Sequence, residues 1–544
     1  MSRFPALAAA VAACLALAGC GSIPTSGPVE LSSVALPDDT RSVQSAAPPT
    51  RDSNPTELVR DFLAACRAGA FNSNFDTARQ YLTSQAAAAW QPQESITLFA
   101  SDVYPQFAAQ GNTITMSVPL KGTVSKDGVL HEAQDGRPLT VRFTFERDAD
   151  GQWRIASLPA GLLLARNAFT GAYSRRNVYF LAPDLSGLVP DVRWVPNVNS
   201  ASFLIELLLE GPSEELARSV ASVFPTGSTL QSHTVTVQEG QAQVKVASSG
   251  EIRGRARALA RWQVEYTLSQ ISSVRSVSLS VNDQLISEPA PTAPAAPVAS
   301  VGAWGPNLVN ITNGKVVASL AAVEGDIQGV ALAPSKPQEA AVLKGGHLLW
   351  VNLRSGAISE LFRGDGLVGP VVDRWGWTWV GDARAGNVVV VSSAGVAQVL
   401  EGDWRGYTSL SLSKDGVRMV AGRSGQDASV DMLRVRRDSR GEPRALEVER
   451  TTPFAPNSEV QVGWRGDTEP AALVRQGDQQ PMVWMLPLGD EPASTSAPDG
   501  ARFLAASQVT GDVLVSTDAG ELWQREERRW RQVTQQVIFP TFSN

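Results

Sequence analysis

Lysine, histidine and cysteine are all scarce in this chain of 544 residues, which has seven lysines beside 40 arginines, three histidines and three cysteines. His131, His233 and His347 stand roughly a hundred residues apart, so no pair has the close spacing of a zinc site, and neither metal nor cofactor is expected. Neither a G-x-S-x-G elbow nor a G-x-x-x-x-G-K-[ST] loop occurs, which removes the signatures of α/β-hydrolases and P-loop enzymes. A formal net charge of −7 makes nucleic acid a poor partner. Beyond the first 20 residues no apolar run approaches the length of a membrane span. The excess of Arg over Lys, with abundant Ala, points to a GC-rich genome such as an actinobacterial one.

The amino terminus is informative. Arg3 begins a short basic region, Phe4 to Leu17 is apolar, and small residues follow at Ala18 and Gly19. This is an export signal, too short to span roughly 30 Å of hydrocarbon. Leu17-Ala18-Gly19-Cys20 resembles the bacterial lipobox. That resemblance implies a signal peptide over 1–19, cleavage between Gly19 and Cys20, an S-diacylglycerol on Cys20, and acylation (palmitate) of its new amino group. One acyl chain anchors weakly and several hold firmly, so the expected location is the extracytoplasmic face of the cell membrane. Residues 20–54, rich in Ser, Pro and Asp without apolar periodicity, are expected to form a flexible tether. Cys14 leaves with the signal and Cys20 is acylated, so Cys66 has no disulfide partner. Leu58, Phe62 and Cys66 recur every four residues, which places Cys66 on the buried face of a helix.

Three folded regions are expected after the tether. Residues 55–168 open with helical stretches over 55–68 and 75–90. They continue into alternating strands such as "LTVRFTFERDADGQWRIASLP", an α+β pattern that looks like the cone-shaped domains related to nuclear transport factor two. His131, near Glu132 and Asp135 beside a turn, reads as a solvated loop histidine. Residues 175–286 carry "NVYFLAP", "ASFLIELLLEGP", "VFPTGSTL", "TVTVQEGQAQVKV", "RARALARWQVEYTLSQI" and "VRSVSLSVND". This series resembles the α/β GerM domain of spore and envelope proteins. Its matching positions are Tyr179, Phe180, Leu208, Gly211, Pro212, Pro225, Gly227, Thr267 and Leu268, all packing or turn residues. A Pro/Ala linker spans 287–300, and polyproline stiffness makes it a semi-rigid spacer. In 301–544, strand-turn-strand units begin near 330, 370, 410, 460 and 501, and ten of the fourteen Trp lie here. Repeats of this size signify propeller blades. Five are visible, and "LVNITNGKVVASLAA" with "VIFPTFS" can complete a sixth and close the ring. The Ser413–Gly416 turn resembles propellers of the TolB type.

Two further sets of residues bear on chemistry. Asp373, Asp382 and Asp403 on propeller turns are the carboxylates a glycosidase reading would use, although turns collect Asp for structural reasons. Two basic runs, one with Arg434, Arg436, Arg437, Arg440 and Arg444, the other with Arg255, Arg257 and Arg261, are either solvated faces or a patch for an anionic partner.

Lipobox, α+β domain, GerM-like domain, Pro-rich linker and propeller, in this order, resemble the actinobacterial lipoprotein LpqB family over essentially the whole mature chain. The resemblance implies a non-enzymatic accessory factor of the MtrAB two-component system that contacts the extracytoplasmic region of the sensor kinase MtrB. The alternatives are a propeller hydrolase or lyase, or a binding scaffold, acting on wall glycan or lipid. The anchor reading is directly testable: Cys20→Ser is expected to move the protein out of the detergent phase on membrane fractionation. A mutant that still partitions there after signal cleavage contradicts it.

Overall fold

A computed structural model describes residues 46–133, 137–292, 299–312, 315–527 and 529–543. The signal segment, Gly19, Cys20, most of the tether and Asp135 therefore lie outside the described residues.

The first helix, Pro55–Asn72, starts where its side chains dictate. Asn54 accepts a hydrogen bond from the Glu57 amide at 3.0 Å, and the Glu57 carboxylate accepts one from the Asn54 amide at 3.2 Å. This reciprocal cap, with Pro55 in the first turn, satisfies amides that the helix leaves unpaired. Leu58, Phe62 and Cys66 are buried on its inner face, and desolvation pushes the Cys66 thiol upward, leaving it inert. The helix packs against a sheet in the order Trp153–Ser157, Pro138–Arg147, Thr113–Ser125, Ser95–Phe99, Leu162–Ala165, the last pair parallel.

Two expectations are corrected in this region. The single helix over 75–90 is broken into Asp76–Arg79 and Ser84–Ala89. Between them the chain runs beside a strand: Ile155 donates to the Tyr81 carbonyl, and Thr83 donates back to the Ile155 carbonyl, each at 2.9 Å. Thr83 then caps the second helix. The tether also ends earlier than residue 54. Ala46 packs on the domain core, the Tyr81 hydroxyl donates to the Ala47 carbonyl, and the Asp52 amide donates to Gln152.

The second module begins with a hairpin, Tyr173–Leu181 against Leu188–Pro196. Its main sheet is separate, in the order Thr229–Leu230, Gln241–Ala247, Ser276–Val281, Gln284–Leu285, with Thr236–Gln238 also paired to Gln241–Ala247. The helices Ser200–Glu210 and Arg255–Leu268 share its apolar core. Two fully buried polar side chains fasten the hairpin to the second helix: Thr267 accepts from the Tyr179 amide at 3.1 Å, and Gln263 donates to the Tyr179 carbonyl at 2.9 Å. Both main-chain groups of one residue are thus satisfied away from any sheet partner.

Six four-stranded antiparallel sheets follow. The innermost strands of blades two to six are Ile327–Ala333, Leu367–Val372, Tyr407–Leu412, Ser458–Arg465 and Ala501–Ala506. Blade one is assembled from both ends of the module. Its inner strand, Ile538–Phe542, pairs with Ser300–Trp304, aligning Phe542 with Ser300 and Ile538 with Ala303. The ring therefore closes as expected, with a sixth blade.

The strand order sorts the turns. In each antiparallel blade the first-to-second and third-to-fourth connections emerge on one face, and the remaining connections emerge on the other. Among the described residues the turns 373–377, 413–417 and 486–492 meet the other modules, all on the first of these faces. The linker therefore joins modules packed against one another rather than spacing them. A protease site engineered into 293–298 is expected to give two bands on a denaturing gel that still co-elute in native gel filtration. Separate elution would show that the docking is not stable.

Candidate functional site

Asp373 and Arg437 hold the centre of the docked face. Their side chains are fully buried and 2.7 Å apart, joining blades three and four. Arg437 also donates to the Gly416 and Gly441 carbonyls at 2.8 Å, while Asp373 accepts from the amides of Trp375 and Trp377 and from Trp379 Nε1. The Arg437 guanidinium lies 4.1 Å from the Trp375 ring centroid. Burial draws the Arg437 pKa down, and the Asp373 carboxylate opposes that shift. Removing one partner of such a pair strands a buried charge and costs about 3–5 kcal/mol.

Two glycines make room for the Trp375 ring. A Cβ on Gly416 or Gly441 would come within 2.4 Å of it, and both residues have positive φ, +72° and +82°. The ring, stacked on Arg437, projects its Nε1 to Asp184 of the GerM-like module at 2.7 Å. Arg374 beside it donates to Ser186 at 2.6 Å, and Val417 packs with Ala182, Val189 and Leu216. A second contact lies in blade five. Arg166 pairs with Asp490 at 2.6 Å, Trp194 donates to the Gly489 carbonyl at 2.7 Å, and Arg175 to the Leu488 carbonyl at 3.1 Å. Arg450 adds Glu132 at 3.6 Å. Within the first two modules, the buried Arg193 bridges Asp191 at 2.7 Å and Asp127 at 3.2 Å.

These contacts decide several readings left open above. Asp373 is a structural anchor, while Asp382 and Asp403 accept from amides of their own turns. The basic runs are largely neutralised: Arg434 and Arg436 reach Glu447, Arg440 and Arg444 reach Asp438, Arg257 reaches Glu288, and Arg261 reaches Glu265. Arg255 donates to the Leu185 carbonyl. His131 lies on the exposed edge strand Leu130–Glu132 rather than in a loop. His233 is exposed 3.6 Å from Glu206, and His347 Nδ1 lies 2.6 Å from Glu360. Among the described residues no group of His, Cys, Asp and Glu could hold a metal ion.

One motif was missed by the sequence reading. Gly364, Gly366 and Gly369 have the spacing of a dinucleotide-binding loop. The segment joins blades two and three and runs into a strand, so the helix amino terminus that such a loop needs is missing there. The Trp375 contact was equally invisible, although a Trp-Gly-Trp turn in a blade was a signal that an aromatic leaves the blade core.

The fold and these junctions define a three-module protein built on a closed six-bladed propeller, with the amino-terminal and GerM-like modules seated on one face. Residues 48–170 match the Lipoprotein LpqB N-terminal domain, 177–287 the Germane family (sporulation and spore germination), and 307–542 the Lipoprotein LpqB beta-propeller domain. The chain belongs to the lipoprotein LpqB family. Lipoprotein LpqB of Streptomyces avermitilis is 27% identical over 583 residues, covering 94% of each chain. That of Thermobifida fusca is 30% identical over 303 residues, 52% of this chain and 47% of the relative, so this chain spans about half of the relative in that match. Among solved structures, TolB from Acinetobacter baumannii is 13% identical with a TM-score of 0.36, covering 58% of this chain and 82% of that one.

Asp184 supplies a pH test of the docking. Burial raises its pKa, but hydrogen bonds from Ser186 and Trp375 outweigh that and leave it below the ordinary carboxylate value. A depressed carboxyl stabilises above its unfolded pKa, about 3.9, and the contribution is lost as pH falls through the folded value. Acidification below about pH 4 is expected to release Trp375, read as a change in its fluorescence with a Trp375→Phe reference. Asp184→Asn should abolish that acid step. An unchanged step would place the titrating group elsewhere.

Proposed function

We propose that the chain is a lipid-anchored accessory protein, held at the extracytoplasmic face of the cell membrane through Cys20. It binds the extracytoplasmic region of the sensor kinase MtrB and regulates MtrAB signalling without catalysis of its own. The observation that carries this reading is the single body formed by the three modules on one propeller face. Among the described residues that arrangement leaves the opposite ring of turns, including 345–346, 383–386 and 424–428, clear of the other modules and available to a partner. The turn carboxylates that an enzyme would need are instead committed to amides and to Arg437, which favours binding over turnover. Membrane confinement supplies a high effective concentration, so modest contacts with a kinase on the same surface suffice.

The test uses MtrB reconstituted in liposomes, assayed for autophosphorylation and phosphotransfer with and without the lipidated protein. Association and an altered phosphotransfer rate are expected. No association and no change in rate would overturn the reading, and turnover of wall glycan or lipid by the purified protein would favour the enzymatic alternative.

A further inference from the structure

The blades surround a cavity of about 370 Å³, within the range of roughly 300–1,000 Å³ typical of small-molecule sites. An inner strand of six residues runs about 20 Å, so the axis has the length of a short oligosaccharide. The lining changes along that axis. At the open face Phe503 of blade six and Phe539 of blade one meet with ring centroids 4.3 Å apart. At the docked face the cavity is bordered by Asp373, paired with Arg437, by Arg374, whose guanidinium is turned to Ser186 of the GerM-like module, and by Lys414. Among the described residues Lys414 has no carboxylate within 4.0 Å. Gln508 crosses this end, donating from blade six to the Leu412 carbonyl of blade four at 2.7 Å, over the intervening blade. The cavity is thus bridged at its cationic end and entered from its aromatic end.

Its wall holds unspent hydrogen-bonding capacity. Ser409 is committed to blade five, accepting from the Val462 amide and donating to the Val460 carbonyl. The side chains of Gln328, Ser411, Gln461 and Thr541, from four different blades, make no hydrogen bond among the described residues. Two amides and two hydroxyls on one concave surface can donate and accept toward a polyol. Aromatic rings suit the apolar face of a sugar at the entrance. The Lys414 ammonium suits an acid group at the floor.

We infer that the propeller cavity binds a short acidic oligosaccharide, its acid group toward Lys414 and its far sugar ring against Phe503 and Phe539. This site is independent of the kinase reading, since it needs neither MtrB nor the anchor.

The experiment is calorimetric titration of the purified full-length protein in detergent. The probes are a glucuronate–N-acetylglucosamine disaccharide, the neutral N,N′-diacetylchitobiose, inorganic phosphate and an acidic tripeptide. The acidic disaccharide is expected to bind, with the neutral one at least about tenfold weaker, as loss of a charge-assisted hydrogen bond implies. Lys414→Ala and Gln461→Ala should each weaken binding about tenfold while leaving the melting temperature unchanged. No binding of the acidic disaccharide, or binding unaffected by both variants, overturns the inference. So does phosphate binding as tightly as the disaccharide, or preference for the tripeptide. Kinase regulation that survives loss of saccharide binding leaves the proposed function standing, so the two readings fail separately.

Discussion

The ion pair between Arg437 and Asp373 joins two levels of structure. Within the propeller it fastens blade four to blade three at the turn where their inner strands end. Its second effect is to present Trp375: Asp373 fixes the Trp375 amide, and the Arg437 guanidinium supports the ring. The ring then hydrogen-bonds Asp184 in the neighbouring module. A buried charge pair gives little net stability against an apolar replacement of the same shape. Here it also sets a direction, because the guanidinium is held by two carbonyls and a carboxylate and has little freedom to move the ring. Docking between modules therefore depends on electrostatics inside one of them.

The other junctions share that logic of few, directional contacts. Arg166, Arg175 and Trp194 meet the turn 486–492 through two backbone carbonyls and an acidic pair. Such contacts fix orientation more than they contribute raw affinity, as in polar interfaces between domains generally. Trp194 itself belongs to the hairpin of the GerM-like module, yet it packs into the core of the amino-terminal domain. The two modules thus share a side chain as well as a boundary, and the division near residue 170 is a matter of chain order rather than of packing.

What was legible in the sequence was periodic. Alternation exposed the blades and the strands of the first domain, and the four-residue recurrence of Leu58, Phe62 and Cys66 exposed the first helix. The pairing of 300–304 with 538–542 could be anticipated because incomplete repeats stood at both ends of the propeller. Contacts made by turn residues were not legible. Trp375, Asp184 and Asp490 occupy irregular segments, Arg166 opens the short helix Arg166–Ala172, and their partners are fixed only by tertiary placement. The break near Tyr81 had the same origin, since local helical pattern yielded to backbone pairing with Ile155. Arg434 and Arg436 of blade four looked like part of a basic patch because their carboxylates, Glu447 and Glu449, face them across a strand pair rather than along the chain. For Gly19, Cys20 and the kinase, the reading rests on motif and family, not on packing.

Closure of the ring by Ile538–Phe542 has a consequence for synthesis. The chain emerges amino terminus first, and blade one lacks its inner strand until every other strand has been made. The pairing of Ser300 with Phe542 is among the longest loop closures in the molecule, and such closures carry a large entropic cost before any contact offsets it. A chain cut a few residues short would keep five complete blades and still display a naked sheet edge at Ser300–Trp304, beside the gap the missing strand should fill. Exposed edges of that kind invite aggregation and degradation. That strand thus works as a length check: the ring discriminates chains that have reached Phe542 from those that stop short of it by whether it can shut.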